Sequence, residues 1–289
     1  MMRISETVKH LIIINVIMFV GTLAIGEGRL FYEWFAMYFP KNDTFQPWQI
    51  ITHMFMHGGA MHIFFNMFAL WMFGTPVEQA LGSRKFLFIY ISAGLGAVLL
   101  QVGFYYFQYI PNYNALLESG LSAESIKQML TNNEVVSGVT QAQFAMLQEI
   151  FPAYNASMVG ASGCIMGIMA AFGMMNPNAE LMMIFLPIPI KAKYFIPGII
   201  ILDLISGITG QSFFSPSNTA YMAHVGGALT GFFIMWYWKK NQFNKNIMLK
   251  IPPKMSLAGL KENLNHYHDK FFGDKQFRSV RLILNIDPQ

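Results

Sequence analysis

Four side chains of this sequence combine, in type and spacing, into the equipment for acyl transfer: Ser162, His224, His62 and Asn66. Ser162 stands in Gly160-Ala161-Ser162-Gly163, at the head of an apolar run from about Ser157 to Met175. A serine becomes a nucleophile when a neighbouring base takes its proton, and a neutral imidazole such as that of His224 can do so. The tetrahedral intermediate then needs hydrogen-bond donors where negative charge develops. The Ser162 backbone N–H, the Asn66 carboxamide and the His62 imidazole are donors of the right kind. His62 and Asn66 are four residues apart and therefore share one helical face. No carboxylate is expected at the depth of His224, so the set reads as a dyad rather than a triad.

The remaining chemical side chains read more plainly. His53, His57 and His62 have metal-ligand chemistry, but no thiolate or carboxylate lies near them, and no metal or cofactor is expected. Asp203 is an ionisable group within an apolar run, which makes it a functional suspect. Counted from Lys193 it falls near mid-membrane, where a buried structural hydrogen bond is its expected role. Cys164 is expected only to pack; as the single cysteine it forms no internal disulfide.

These residues must be positioned by membrane helices. Of the 289 residues 54% are hydrophobic and 12% charged, against about a quarter charged in soluble domains. The mean hydropathy is +0.39. The chain is therefore expected to be an all-α membrane protein rather than a soluble or nucleic-acid-binding one. Six apolar runs stand out: Leu11–Gly26, Gly58–Thr75, Phe86–Tyr109, Ser157–Met175, Tyr194–Gln211 and Thr219–Trp238. With the N-terminus in the cytoplasm, cytoplasmic segments hold 16 of the 19 Lys and Arg, and external ones hold Arg29, Lys41 and Lys127. The positive-inside rule then puts both termini in the cytoplasm. The first run carries Arg3 and Lys9 ahead of it but no cleavage site, and is expected to stay as a span.

In that topology runs two, four and six descend from the external face. Ser162 and His224 each lie about five residues into their runs, roughly 8 Å below the boundary. His62 and Asn66 lie at a similar or slightly greater depth. Gly163 and Gly167 in the fourth run, and the ridge of Ala223, Gly227 and Gly231 in the sixth, permit close helix approach in lipid. Between the runs, the first external loop, Glu27 to Gln49, is rich in interfacial aromatics such as Trp34 and Trp48. A second runs from Ile110 to Ala156, with four Glu against one Lys. Within it Ser122–Leu130 reads as a short helix capped by Ser122, with Ile126, Met129 and Leu130 on one face. The membrane domain is read as residues 1–240 and a basic cytoplasmic tail as 241–289.

These residues resemble the rhomboid family of intramembrane serine proteases, from about Trp48 to Trp238. Ser162 looks like the serine of the family's G-x-S-G motif. His224 looks like the base of its A-H-x-x-G-x-x-x-G motif, with Ala223, Gly227 and Gly231 in place. His62 and Asn66 resemble its H-x-x-x-N, and Glu78 in Val77-Glu78-Gln79-Ala80-Leu81-Gly82-Ser83 resembles its acidic position after the second span. Two departures stand out. The family's Trp-Arg is here Trp48-Gln49, expected to weaken loop anchoring. The aromatic four residues after the serine is Met166, expected to hold His224 less firmly. The resemblance implies a six-helix rhomboid-like bundle that cuts single-span membrane proteins near their external end, with substrate entering beside spans two and five. The loop Gln211–Asn218, with Phe213 and Phe214, would cap the cavity. Competing readings are a silent rhomboid-like protein that binds membrane clients, and a transporter, which would show inverted repeats. A bacterial plasma membrane is the expected location.

Overall fold

The computed structural model describes residues 3–183, 186–213 and 219–250. A helix occupies most of each of the six apolar runs. Helix α1 spans Glu6–Ala24. The second run is α4 (Ala60–Ala69), a π-helical turn over Leu70–Gly74 and α5 (Thr75–Leu81), continuous from Ala60 to Leu81. Then come α6 (Ser83–Glu118), α9 (Ser162–Met175), α10 (Ala192–Thr209) and α11 (Tyr221–Lys250). Glu6–Ala24, Ala60–Leu81, Ser83–Glu118 and Ala192–Thr209 are each long and apolar enough to cross a membrane. Their exposed faces are greasy: Ile13, Ile17 and Val20 on α1, Ile201, Leu204 and Ile208 on α10. The chain divides into a unit up to Met235 and a second from Trp236, whose described part is the end of α11. The basic tail beyond Lys250 lies outside the described residues.

Glycine and alanine decide how three helices pack. A Cβ on Gly163 would lie 2.5 Å from the Ala97 Cβ, and one on Gly231 would lie 2.6 Å from the Gly167 Cα. A Cβ on Gly226 would meet the Gly96 carbonyl oxygen at 2.5 Å. So α6, α9 and α11 cross backbone against backbone, along the small-residue ridges expected for α9 and α11.

The connection after α1 is more firmly built than Trp48-Gln49 implied. It comprises α2 (Arg29–Phe35), β1 (Met37–Tyr38) and α3 (Gln49–Thr52). Gln49 is fully buried. Its Nε2 donates to the Glu33 and Thr44 carbonyls at 2.9 and 3.0 Å, and its Oε1 accepts from the Gln46 and Tyr38 N–H groups at 3.0 and 3.4 Å. A neutral amide, with donors and an acceptor, thus ties four points of the loop, and the expectation of weak anchoring is overturned. The Trp48 Nε1 adds a bond to the Trp34 carbonyl at 2.8 Å.

The second long connection is also structured. Helix α6 continues past Tyr109 to Glu118 because Tyr109 and Leu116 carry its apolar face into a separate cluster. Helix α7 (Ala123–Asn132) starts where expected, with the Ser122 Oγ accepting from the Ser125 N–H at 3.1 Å and Ile126, Met129 and Leu130 buried. Helix α8 (Gln141–Tyr154), unread in the sequence, opens on a capping box of Thr140 and Gln143. Phe39 from the first connection sits in the same cluster, among Tyr109, Leu130, Ile150 and Tyr154. The two connections therefore share one core. After α9 comes a hairpin of β3 (Glu180–Met183) and β4 (Leu186–Lys191), another element the sequence reading missed. Of the expected cap loop, Phe213 is exposed, while Phe214 to Asn218 lie outside the described residues.

Candidate active site

Ser162 is the first residue of α9, not the fifth residue of a longer span. The residues before it, Ser157–Met158, form β2, which pairs antiparallel with β1 in the register Met37 to Met158 and Tyr38 to Ser157. Helix α9 has 14 residues and is about 21 Å long, against a hydrocarbon core of about 30 Å. The serine gains its place because the helix begins late, not by depth along a full span. Its N-cap, Ala161, offers no side-chain acceptor, so no cap side chain covers the positive end of the helix dipole.

Gly160 shapes the entrance. Its N–H donates to the His53 carbonyl at 2.9 Å, and its φ of +128° lies in a region that side chains rarely adopt. There is no room for one either. A Cβ there would lie 2.9 Å from the His62 Nε2 and 3.6 Å from the Ser162 Oγ. The imidazole of His62 and the hydroxyl of Ser162 therefore face the same bare α-carbon. His62 Nδ1 accepts from the Gly58 N–H at 3.3 Å, which in a neutral ring leaves the proton on Nε2, the nitrogen turned toward Gly160. Asn66, one turn on, is buried and spends one amide hydrogen on the His62 carbonyl at 2.9 Å. Among the described residues the other has no acceptor.

His224 comes from α11, three residues into the helix. The crossing brings it close: a Cβ on Gly163, beside the serine, would lie 3.6 Å from the carbonyl oxygen of Ala223. The expectation that no carboxylate reaches His224 is overturned. Its Nδ1 lies 2.7 Å from the Asp203 Oδ2 on α10, with Asp203 fully buried. The miss has a simple cause. Helix α10 runs toward the connection that leads into α11, so Asp203 is six residues from the Thr209 end that adjoins His224. Counting from Lys193 measured from the wrong end. The looser hold expected from Met166 is also set aside, because Asp203 grips the ring directly. Ser162 and His224, both among the described residues, make no hydrogen bond to each other here; such bonds commonly close only when substrate is bound.

Behind this set, His53 and His57 are buried. The His53 Nδ1 meets the Gln49 carbonyl at 2.8 Å, while neither ring nitrogen of His57 has a partner among the described residues. The His57 ring stands 5.0 Å from that of His62, edge to face. Burial lowers both below the ordinary histidine value of 6.5, His53 to about 4 and His57 to about 3, so both are neutral spacers at neutral pH. Cys164 is buried, with its Sγ 2.6 Å from where a Cβ on Gly94 would be.

Similarity to known proteins runs through these same elements. The chain is 26% identical over 264 residues to the human presenilin-associated rhomboid-like protein, mitochondrial; the alignment covers 89% of this chain and 55% of the relative. The rat protein of that name matches with the same identity and coverage. Rhomboid protease GlpG of Salmonella typhi is 34% identical over 89 residues, 31% of this chain and 32% of that protein. The chain thus spans about half the length of the mitochondrial relatives it matches. The Rhomboid domain family model matches residues 44–241, a stretch that holds the His62 face, the Ser162 entrance, Asp203 and His224, and by that match the chain belongs to the rhomboid family.

Proposed function

We propose that the chain is an intramembrane serine endopeptidase that hydrolyses single-span membrane proteins near the external membrane face. The observation that carries the reading is the convergence on Gly160 and Gly163: a hydroxyl at an uncapped helix start, an imidazole N–H beside it, and a second histidine on the helix packed against it. The Ser162 Oγ attacks the scissile carbonyl carbon as His224 takes its proton. Charge then develops on the carbonyl oxygen, facing the Ser162 N–H, the His62 Nε2–H and the free Asn66 amide hydrogen. Collapse of the intermediate breaks the C–N bond, and His224 returns the proton to the leaving amine. Water, deprotonated by His224, then hydrolyses the acyl-enzyme.

Six spans with both termini in the cytoplasm open the site outward, where water and an unwound substrate segment can meet. Irregular backbone is tolerated at membrane depth only inside such a cavity. The helix walls around the site favour small residues at the cleavage point. The similar proteins come from mitochondria and from bacteria, so the expected bacterial plasma membrane is not carried forward; the reading keeps only an integral membrane protein. A silent client-binding relative is the second reading, opposed by the presence of both Ser162 and His224. The test is cleavage of a labelled single-span substrate in liposomes, together with labelling by a serine-directed fluorophosphonate. The native chain should cut and label. Ser162→Ala and His224→Ala should each lose about 10⁴-fold or more of the cutting rate. Folded native protein that neither cuts nor labels would leave the client-binding reading.

A further inference from the structure

We propose that Asp203 is a positioning residue that turns the Ser162–His224 pair into a three-member relay, an inference that rests on the hydrolase reading above. Three observations carry it.

The first is what the carboxylate touches. Its Oδ2 lies 2.7 Å from the His224 Nδ1, the ring nitrogen that does not serve as base. An acceptor there keeps the proton on Nδ1 and the lone pair on Nε2, the form in which an imidazole can take a serine proton. It also fixes the ring's rotation and offsets the positive charge that appears once the proton has moved.

The second is where the carboxylate comes from. Asp203 is fully buried, on a helix whose other buried residues are Ala192, Ile196 and Ser206. An ionised group placed so deep is costly unless paired. Packing would be served as well by leucine, whereas an acceptor for an imidazole would not.

The third is how the carboxylate is held. One turn further along α10, a Cβ on Gly207 would lie 2.9 Å from the Met222 Cε, so α10 closes on the start of α11 through a bare backbone. Ser206 donates its hydroxyl hydrogen to the Leu202 carbonyl at 2.8 Å, within its own helix. On the far side, Gln101 of α6 accepts from the Ala223 N–H at 3.1 Å and steadies the backbone beside His224. Among the described residues, Asp203 on α10 meets the His224 ring and His62 on α4 is within electrostatic reach of it. Of these only Asp203 can balance an imidazolium.

The deciding variants are Asp203→Asn, Asp203→Glu and Asp203→Ala in the full chain, reconstituted in liposomes. Asparagine offers an oxygen of the same shape without charge. If the bond is only structural, Asp203→Asn will keep both thermal stability and kcat. As a positioning residue it will keep stability and KM but lose kcat by roughly 10²–10⁴-fold, with an equal loss in the rate at which a fluorophosphonate modifies Ser162. In ¹H–¹⁵N spectra of histidine-labelled protein, a far-downfield Nδ1 proton is expected in the native chain. It should be lost in Asp203→Asn and regained, with part of the activity, in Asp203→Glu. Asp203→Ala serves only if it folds; the other two decide without it. Native kcat in folded Asp203→Asn overturns the proposal while leaving the Ser162–His224 reading intact. A native chain that neither cuts nor labels overturns both.

Discussion

Among the described residues two carboxylates are buried, Glu78 and Asp203, and the chain uses them oppositely. Glu78 is saturated by structural donors. Its Oε2 accepts from the Ser5 hydroxyl at 2.5 Å and the Val8 N–H at 3.0 Å, its Oε1 from the Ser83 hydroxyl at 2.7 Å and the Thr7 N–H at 3.0 Å. It caps the first turn of α1, whose own N-cap side chain makes no such bond, and clamps that helix to the α5–α6 junction. Asp203 instead meets the His224 imidazole, which in the proposed reaction gains and loses a proton. Burial alone therefore does not mark a carboxylate as functional; the partner does. One whose partners are all backbone N–H and hydroxyl groups holds the fold, and one whose partner must gain and lose a proton holds a base.

The comparison breaks if the two positions respond alike. Asp203→Asn should cost activity without stability, as above. Glu78→Gln should do the reverse. Each Glu78 oxygen receives two donors, so an amide can satisfy one side and must present its own N–H to the other. About 2–4 kcal/mol of stability should go, read from denaturant or thermal unfolding in detergent, with kcat per folded molecule unchanged. A large kcat loss in folded Glu78→Gln would erase the distinction. Gly227→Ala sharpens it from a third side, since a Cβ there would lie 2.8 Å from the Gly163 carbonyl carbon. Overpacking of this kind costs about 1–3 kcal/mol and displaces the helix that carries Ser162, so stability and kcat should fall together. A variant with intact kcat would show that the crossing can relax without moving the serine.

The remaining test is on pH. His53 and His57 are held near 4 and 3 when folded but bind protons near 6.5 when unfolded. Their contribution is complete above about pH 6.5 and is lost as pH falls below it, because the unfolded chain then takes up protons that the folded one refuses. The melting temperature should be level from pH 8 to 7 and decline toward pH 5, less steeply in His57→Gln. A melting temperature level down to pH 5 would contradict the neutral-spacer role.

Much of this was legible in the sequence. Ser162, His62 and Asn66 announced themselves by local spacing, which a helix converts directly into a shared face. The glycine ridges of α9 and α11 were legible because, in lipid, small residues have few other reasons to line up. The Asp203–His224 contact was not, since it depends on how two helices rotate about their own axes and on measuring depth from the end they share. Gln49 was misjudged for a related reason: one amide can bind four backbone groups only where a loop folds around it, and nothing in Trp48-Gln49 tells that shape. The late start of α9 was hidden because Ser157 and Met158 are as compatible with a strand as with a helix end.

The crossing of α9 with α11 also has a meaning in time. Chain order places Ser162 well ahead of His224, and at ~5–20 residues per second the ribosome needs roughly 3–12 s to travel from one to the other. Throughout that interval Gly163 has no Gly227 to rest on, and in the proposed reading the hydroxyl exists without its base. In that reading α11 arms the site, so a chain made only as far as α9 carries a blade that has not yet been fitted to its handle.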